Sequence, residues 1–387
     1  MNDRSSRDRR VTWVLRGAFF ASLVTVAFFT GRSVDAIPRY SAEYGQRCAL
    51  CHVNPSGGGL RTSYASQFLV PTEMVANQFD MEELGGIDPQ INDHITIGTD
   101  VRTIARYSRE DAQRSQNNFF QMQGDLYLAF QGGEKFTIYL DRGQSTTYEL
   151  FGMAQILPYT GYVKVGRFTP AYGWKFADHN AFVRERLGFL PPAHTDVGVE
   201  LGIFPANMTI QAALLNGNAG STLDTNDEPS FAARAGRRWN RGDFGVFLGG
   251  SYQYDAERPF VGGDALARNQ AGPFGYLNYR RVTWLGEADW VNRDLPDSDE
   301  AITSFVMSHE VAVHAMRGLD IVGGFSYMDP DLDLKTGTWS RWSGGVEWFV
   351  NPFLVVSGLV QSYQAEEGDA ITEEDYEQAV LQAHFLY

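Results

Sequence analysis

"FFQMQGDLYLAF", Phe119 to Phe130, alternates residue by residue. Gln121, Gln123, Asp125 and Tyr127 fall on one face, and Met122, Gly124, Leu126 and Leu128 fall on the other. A period of two marks a β-strand with one polar and one apolar face. The pattern recurs. In "DVGVELGIF" (Asp196–Phe204), Asp196 and Glu200 oppose Val197, Val199, Leu201 and Ile203. In "WSGGVEWFV" (Trp342–Val350), Ser343 and Glu347 oppose Trp342, Val346, Trp348 and Val350.

Working outward from these stretches, about 16 such segments can be placed between Ile95 and Tyr387, each near the ~10-residue length of a membrane-spanning strand. Short connections such as "GGEK", "NRGD" and "MRGL" alternate with long polar ones such as "SREDAQRSQNN", "NGNAGSTLDTNDEPS" and "AEEGDAITEED". Short turns at one end and long loops at the other are the asymmetry of an outer-membrane barrel, and two soluble sandwiches would not explain it. The chain closes on "QAVLQAHFLY" (Gln378–Tyr387), which resembles the aromatic-ended strand read by barrel-assembly machinery. The expected fold class is all-β. It is an antiparallel transmembrane β-barrel of about 16 strands over residues 95–387, preceded by a small, largely helical or irregular segment. Sixteen strands enclose a water-filled channel unless something plugs it.

Residues 1–36 read as a secretory signal peptide. Arg4, Arg7, Arg9, Arg10 and Arg16 make a basic start, "AFFASLVTVAFF" is an apolar run too short to span a bilayer, and Val34-Asp35-Ala36 offers small residues for cleavage. Its removal takes six Arg and three Asp from 32 basic and 47 acidic residues, leaving 26 against 44, a balance of −18. That excludes a nucleic-acid partner, which requires a basic face.

Parity places Asp100, Arg102, Lys164, Glu200, His314 and Arg341 inside the barrel, as parts of a wetted, charge-balanced wall. The connection after the fifth strand, "TPAYGWKFADHNAFVRERLGFLPPAH" (Thr169–His194), is too apolar for a solvated outer loop. It resembles the third external loop of general porins, which folds inward.

Both cysteines of the chain stand in "RCALCH", where Cys48, Cys51 and His52 form C-x-x-C-H. That motif attaches c-type haem through two thioether bonds, with the His ligating the iron. A closed zinc site would need four ligands, and a redox dithiol would expect a βαβ context. "AIPRYSAEYGQRCALCHVNP" (Ala36–Pro55) is similar to the mature start of fused cytochrome–porins of the bacterial outer membrane, with Ala36, Pro38, Tyr40, Gly45, Cys48, Cys51 and His52 filling their pattern. Ala65 stands where that family has Gly before Phe68, and Pro55–Gly59 is an insertion.

The resemblance implies a monohaem cytochrome c segment over residues 37–94 acting as a lumen plug, with one covalently bound c-type haem as cofactor. It also implies an electron conduit between an extracellular donor or acceptor, such as Fe2+, and a periplasmic electron carrier. If the chain is an enzyme, it is then an iron(II)-oxidising or other extracellular-metal oxidoreductase. The alternative is a solute-permeable porin whose haem segment is a plug or sensor. The expected location is the outer membrane of a Gram-negative-type bacterium, among its lipid and lipopolysaccharide, with the haem segment on the periplasmic or lumenal side. His52 is the proximal ligand in this reading. Met74, Met81 and His94 are the distal candidates, the methionines ahead because Met raises the potential, and His179 is a further one.

Overall fold

The computed structural model describes residues 38–387 apart from 77–87, 111–114, 145–147, 190–194, 218–227, 258–265, 297, 299, 335 and 367–374. The signal-peptide reading and Met81 fall outside the described residues.

A three-residue strand, β1 (Gln90–Asn92), pairs with β2 (Ile95–Glu110) and leads into the barrel. From β2, sixteen antiparallel strands follow in chain order to β17 (Tyr376–Leu386), each bonded to the next. β17 pairs back to β2 from Tyr376↔Glu110 to Leu386↔Asp100, closing the sheet and leaving it no free edge. Segments read from alternation near residues 95, 135, 147, 162, 195, 208, 230 and 319 each begin a strand within one residue of that position. One tight turn shows how little chain this end of the barrel uses. Tyr159 and Thr160 both have positive φ, and Gly161 N–H donates to the Pro158 carbonyl at 3.1 Å, the geometry of a two-residue hairpin turn.

Alternation predicts correctly which side chains face out. Leu126 is 62 % exposed while its neighbour Asp125 is 6 % exposed, and Leu201 is 48 % exposed beside a fully enclosed Glu200. The outer face is thus an apolar surface suited to lipid, and among the described residues nothing else covers it. The stretch around Met122 departs. Met122 was expected to face outward, but Arg102 pairs with Gln123 and Thr103 with Gln121, so Met122 is bulged out of register and lines the lumen. A single extra residue flips the facing of what flanks it.

The wall is also less uniformly polar than parity suggests. Phe247, Phe274 and Tyr276 point inward and pack on Trp174 of the Thr169–His194 connection, while Tyr139, Phe151 and Tyr162 form a second inward aromatic group. Trp174 meets Phe274 edge-on with ring centroids 5.0 Å apart, and its Nε1–H donates to the Gly275 carbonyl at 3.1 Å. The described part of the connection therefore folds into the lumen, as its composition requires. Leu381, 58 % exposed at the centre of β17, tests the lipid-facing surface. Leu381→Arg should destabilise the folded barrel by ~2–4 kcal/mol, read as a lowered midpoint of urea-induced unfolding in vesicles. An unchanged midpoint would show that this face does not meet hydrocarbon.

Candidate functional site

Residues 38–76 lie inside the barrel at its short-turn end. A helix (Pro38–Tyr44), a single helical turn (Cys48–Cys51) and a π-helix (Tyr64–Met74) make up most of the segment. The wall holds it from many directions. Arg39, 3 % exposed, donates to Glu310 at 3.2 Å, pairs with Glu347, and lies 3.6 Å from Asp320. Asn54 donates to Glu149 at 3.2 Å, and Tyr139 Oη accepts from Leu60 N–H at 3.2 Å. Arg238 donates to the Gly45 carbonyl at 2.8 Å, and Arg317 donates to the Val75 carbonyl at 2.9 Å. Lys175, from the inward connection, donates to the Gly57 carbonyl at 2.8 Å. The Pro55–Gly59 stretch therefore touches the inward connection.

Two glycines carry this docking. Gly45 has φ +59°, and a Cβ there would meet Asn240 Nδ2 at 2.1 Å; at Gly59, with φ +66°, it would meet Tyr139 Oη at 2.1 Å. Any larger residue would strain the backbone at both positions, and at Gly59 it would also meet the buried Tyr139.

Between the segment and the inward connection lies a cavity with about 330 Å³ of water-accessible space inside a wider void. That is within the ~300–1,000 Å³ of small-molecule and cofactor sites. Cys48, Cys51, His52 and Met74 all line it. Both cysteines are free thiols. His52 bridges Arg61 by backbone hydrogen bonding, and the turn is closed by His52 N–H donating to the Cys48 carbonyl at 2.9 Å. The imidazole is half-buried, with Nδ1 enclosed and without a hydrogen-bond partner among the described residues. Burial, then Arg61, bring its pKa down to about 4, with only the Gly59 backbone acting the other way, so the ring is neutral and able to ligate. Burial, then Cys48, push the Cys51 thiol up to about 11 against the influence of Arg61. This is the reverse of what a reactive dithiol needs. Among the described residues no group of three or more His, Cys, Asp or Glu is arranged to hold a metal ion, so the donors of a closed zinc site are not assembled. Two thiols three positions apart, a neutral imidazole and a cofactor-sized cavity do fit a covalently attached haem.

The distal candidates separate. Met74 is 2 % exposed, packs in one cluster with Cys51 and Tyr40, and lines the cavity. His94 stands apart from the cavity. It sits exposed beside the turn after β3 (Ser115–Gln131), with Nδ1 2.9 Å from the Gln131 carbonyl, and it does not line the cavity. The backbone there pairs with the sheet from Ile95 onward, which carries His94 away from the segment. His179 does line the cavity, but its Nε2 is 3.0 Å from Arg102 Nη1 and is engaged there. His314 is a wall residue, bonded to Asp320 at 2.9 Å.

The sequence reading did not single out Arg39, Arg61, Lys175 or Arg184. Arg39, between Pro38 and Tyr40, carried a faint signal, because a cation flanked by Pro and Tyr calls for a partner once buried. The others are legible only once the wall is assembled.

These features define a class: a closed, sixteen-stranded antiparallel barrel of outer-membrane porin fold, whose lumen holds its own N-terminal segment and an inward connection. Among solved structures, the chain is similar to OmpT of Vibrio cholerae, at 12 % identity over 77 % of this chain and 99 % of that chain, with a TM-score of 0.57. It is similar also to an anion-selective porin from Comamonas acidovorans, at 10 % identity over 76 % of this chain and 99 % of that chain, TM-score 0.54. OprB of Pseudomonas putida gives 10 % identity over 76 % and 94 %, TM-score 0.53. At such identities the likeness is one of fold. No family model matches the chain, and no curated protein matches it.

Arg39→Met should loosen the segment, because it strands Glu310, Asp320 and Glu347 without their cation. Loss of one partner of a buried pair costs ~3–5 kcal/mol. Faster hydrogen exchange over residues 38–76 with unchanged exchange in the strands is the expected result, and equal exchange in both would refute Arg39 as the anchor.

Proposed function

We propose that this chain is an outer-membrane porin–cytochrome that exchanges electrons between an extracellular metal ion, such as Fe2+, and a periplasmic electron carrier. The observation that carries the proposal is the convergence of Cys48, Cys51, His52 and Met74 on one cavity in the lumen, in a segment the barrel wall grips on many sides. Cys48 and Cys51 hold one c-type haem covalently, His52 ligates from one side, and Met74 is the preferred second ligand, with Met81 the other methionine in reach along the chain. The haem supplies a one-electron iron couple. Around it the chain does three things: the segment shuts the short-turn end, the inward connection narrows the long-loop end, and the inward aromatics exclude water.

The solute-permeable porin remains the rival, and the porin fold of the structural neighbours favours it. Four measurements test these readings. In sealed cells, external Fe2+ should reduce the haem, seen as growth of the reduced absorption bands; no reduction would refute the conduit. Liposomes carrying the protein should not swell in small neutral solutes, and swelling at porin rates would favour the rival. Cys48→Ala combined with Cys51→Ala should abolish the haem-stained band after denaturing electrophoresis while the barrel still inserts. A band that survives would refute covalent attachment. Met74→Leu should lower the midpoint potential, because Met raises it; an unchanged potential would exclude Met74 as the second ligand.

A further inference from the structure

Three guanidinium groups face the same cavity as Cys48, Cys51 and His52: Arg61 of the N-terminal segment, Arg102 of β2, and Arg184 of the short helix Phe182–Glu185. The other arginines on this wall are answered. Arg39 meets three carboxylates, Arg341 pairs with Asp178 at 2.6 Å, and Arg234 donates to Gln211 and to the Gly173 carbonyl.

Of the first three, Arg61 and Arg184 meet no carboxylate of their own among the described residues, and Arg102 meets one that is shared. Arg61 makes no side-chain hydrogen bond or ion pair among the described residues. Arg184 is 5 % exposed; it donates to the Phe176 carbonyl of its own connection, and its Nε is buried without a partner. Arg102 places Nε 3.4 Å from Asp100 and 3.2 Å from His384, and Nη1 3.0 Å from His179. Asp100 is already shared, since His384 Nε2 lies 2.7 Å from it and Arg61 faces it too. Asp178, the acid beside Arg184, is committed to Arg341. Arg102 thus has Asp100 in contact and Asp125 facing it, while Arg61 and Arg184 are left without a carboxylate of their own among the described residues. Buried charge is costly unless it is paired.

We propose that Arg61, Arg102 and Arg184 form a carboxylate-binding site that receives the two acidic side chains of the tetrapyrrole attached at Cys48 and Cys51. The proposal rests on the haem reading above. Number and charge agree, because a haem carries two carboxylates, and guanidinium forks match carboxylates in a bidentate manner. A group tethered at the two thiols then has a second, electrostatic hold on the wall, and the cations favour the reduced iron.

The test uses the full-length protein purified in detergent. It compares wild type, Arg102→Gln with Arg184→Gln, Arg61→Gln, and the charge-keeping Arg102→Lys. Haem staining, the propionate-bending band in resonance Raman spectra and the midpoint potential are read for each. The double variant should keep its covalent haem, shift the propionate band and titrate at a lower potential. Arg102→Lys should shift the band yet hold a potential near wild type. An unmoved band and potential in the double variant overturn the proposal. Should that variant fail to insert, Arg61→Gln decides by the same two readings. A free carboxylate as the true occupant would appear as a citrate-dependent shift of the wild-type potential, and that too overturns the assignment. Absence of a haem-stained band in wild type would refute the haem reading itself, a result distinct from these.

Discussion

Arg39 set against Glu310, Asp320 and Glu347 is the contact on which the rest of the lumen depends. A sixteen-stranded barrel leaves more space than its own side chains can fill. An N-terminal segment can occupy that space only if its polar backbone and its charges find partners in the wall. Arg39 meets that requirement with three carboxylates from three strands, and Tyr40 adds a hydrogen bond to Asp320 at 3.0 Å. Such a cluster contributes little net stability against a well-packed apolar substitute, but it fixes where the segment sits. The Cys48–Cys51 turn follows a few residues later, so its place inside the barrel is set by this anchor.

The second constraint comes from the opposite end. The described part of the Thr169–His194 connection enters the lumen because Trp174, Phe176, Phe182 and Leu187 have inward-facing Phe247, Phe274 and Tyr276 to pack against. Its backbone is satisfied on the wall as well. Trp174 N–H donates to Glu287 at 2.6 Å, Gly173 N–H donates to Ser251 at 2.9 Å, and Tyr172 Oη donates to Asp289 at 2.6 Å. Lys175 then reaches the Gly57 carbonyl and joins the two inward pieces. The cavity is what remains between them. Its lining is divided in character: thiols, imidazole and thioether come from the segment, while guanidiniums and histidines come largely from the barrel and the connection.

Much of the barrel was legible in the chain itself. Period-two alternation, short and long connections in turn, and an aromatic C-terminus are local properties, and each spanning strand must show them because one face meets lipid and the other does not. Cys48, Cys51 and His52 stood out for a similar reason: C-x-x-C-H is a fixed local spacing, visible whatever surrounds it. The bulge at Met122 was not legible, since a one-residue slip leaves the composition of the strand unchanged. Nor were the inward aromatics, because an aromatic side chain suits either a lipid interface or a packed lumen.

The sequence by itself determined the strand pattern, the facing of most wall residues and the set of donor atoms in the N-terminal segment. Which distant groups meet was decided only by tertiary structure. Arg61, Arg102 and Arg184 stand far apart in the chain, and closure of β17 on β2 together with the inward connection brings them to one cavity. His94 and Met74 are both distal candidates in the sequence, with Met74 ahead only because Met raises the potential. The fold separates them: pairing of the chain into the sheet at Ile95 commits His94 to the rim, whereas packing against Tyr40 and Cys51 holds Met74 at the cavity wall. Local pattern records what each residue needs from its immediate surroundings, and long-range closure decides which partner supplies it.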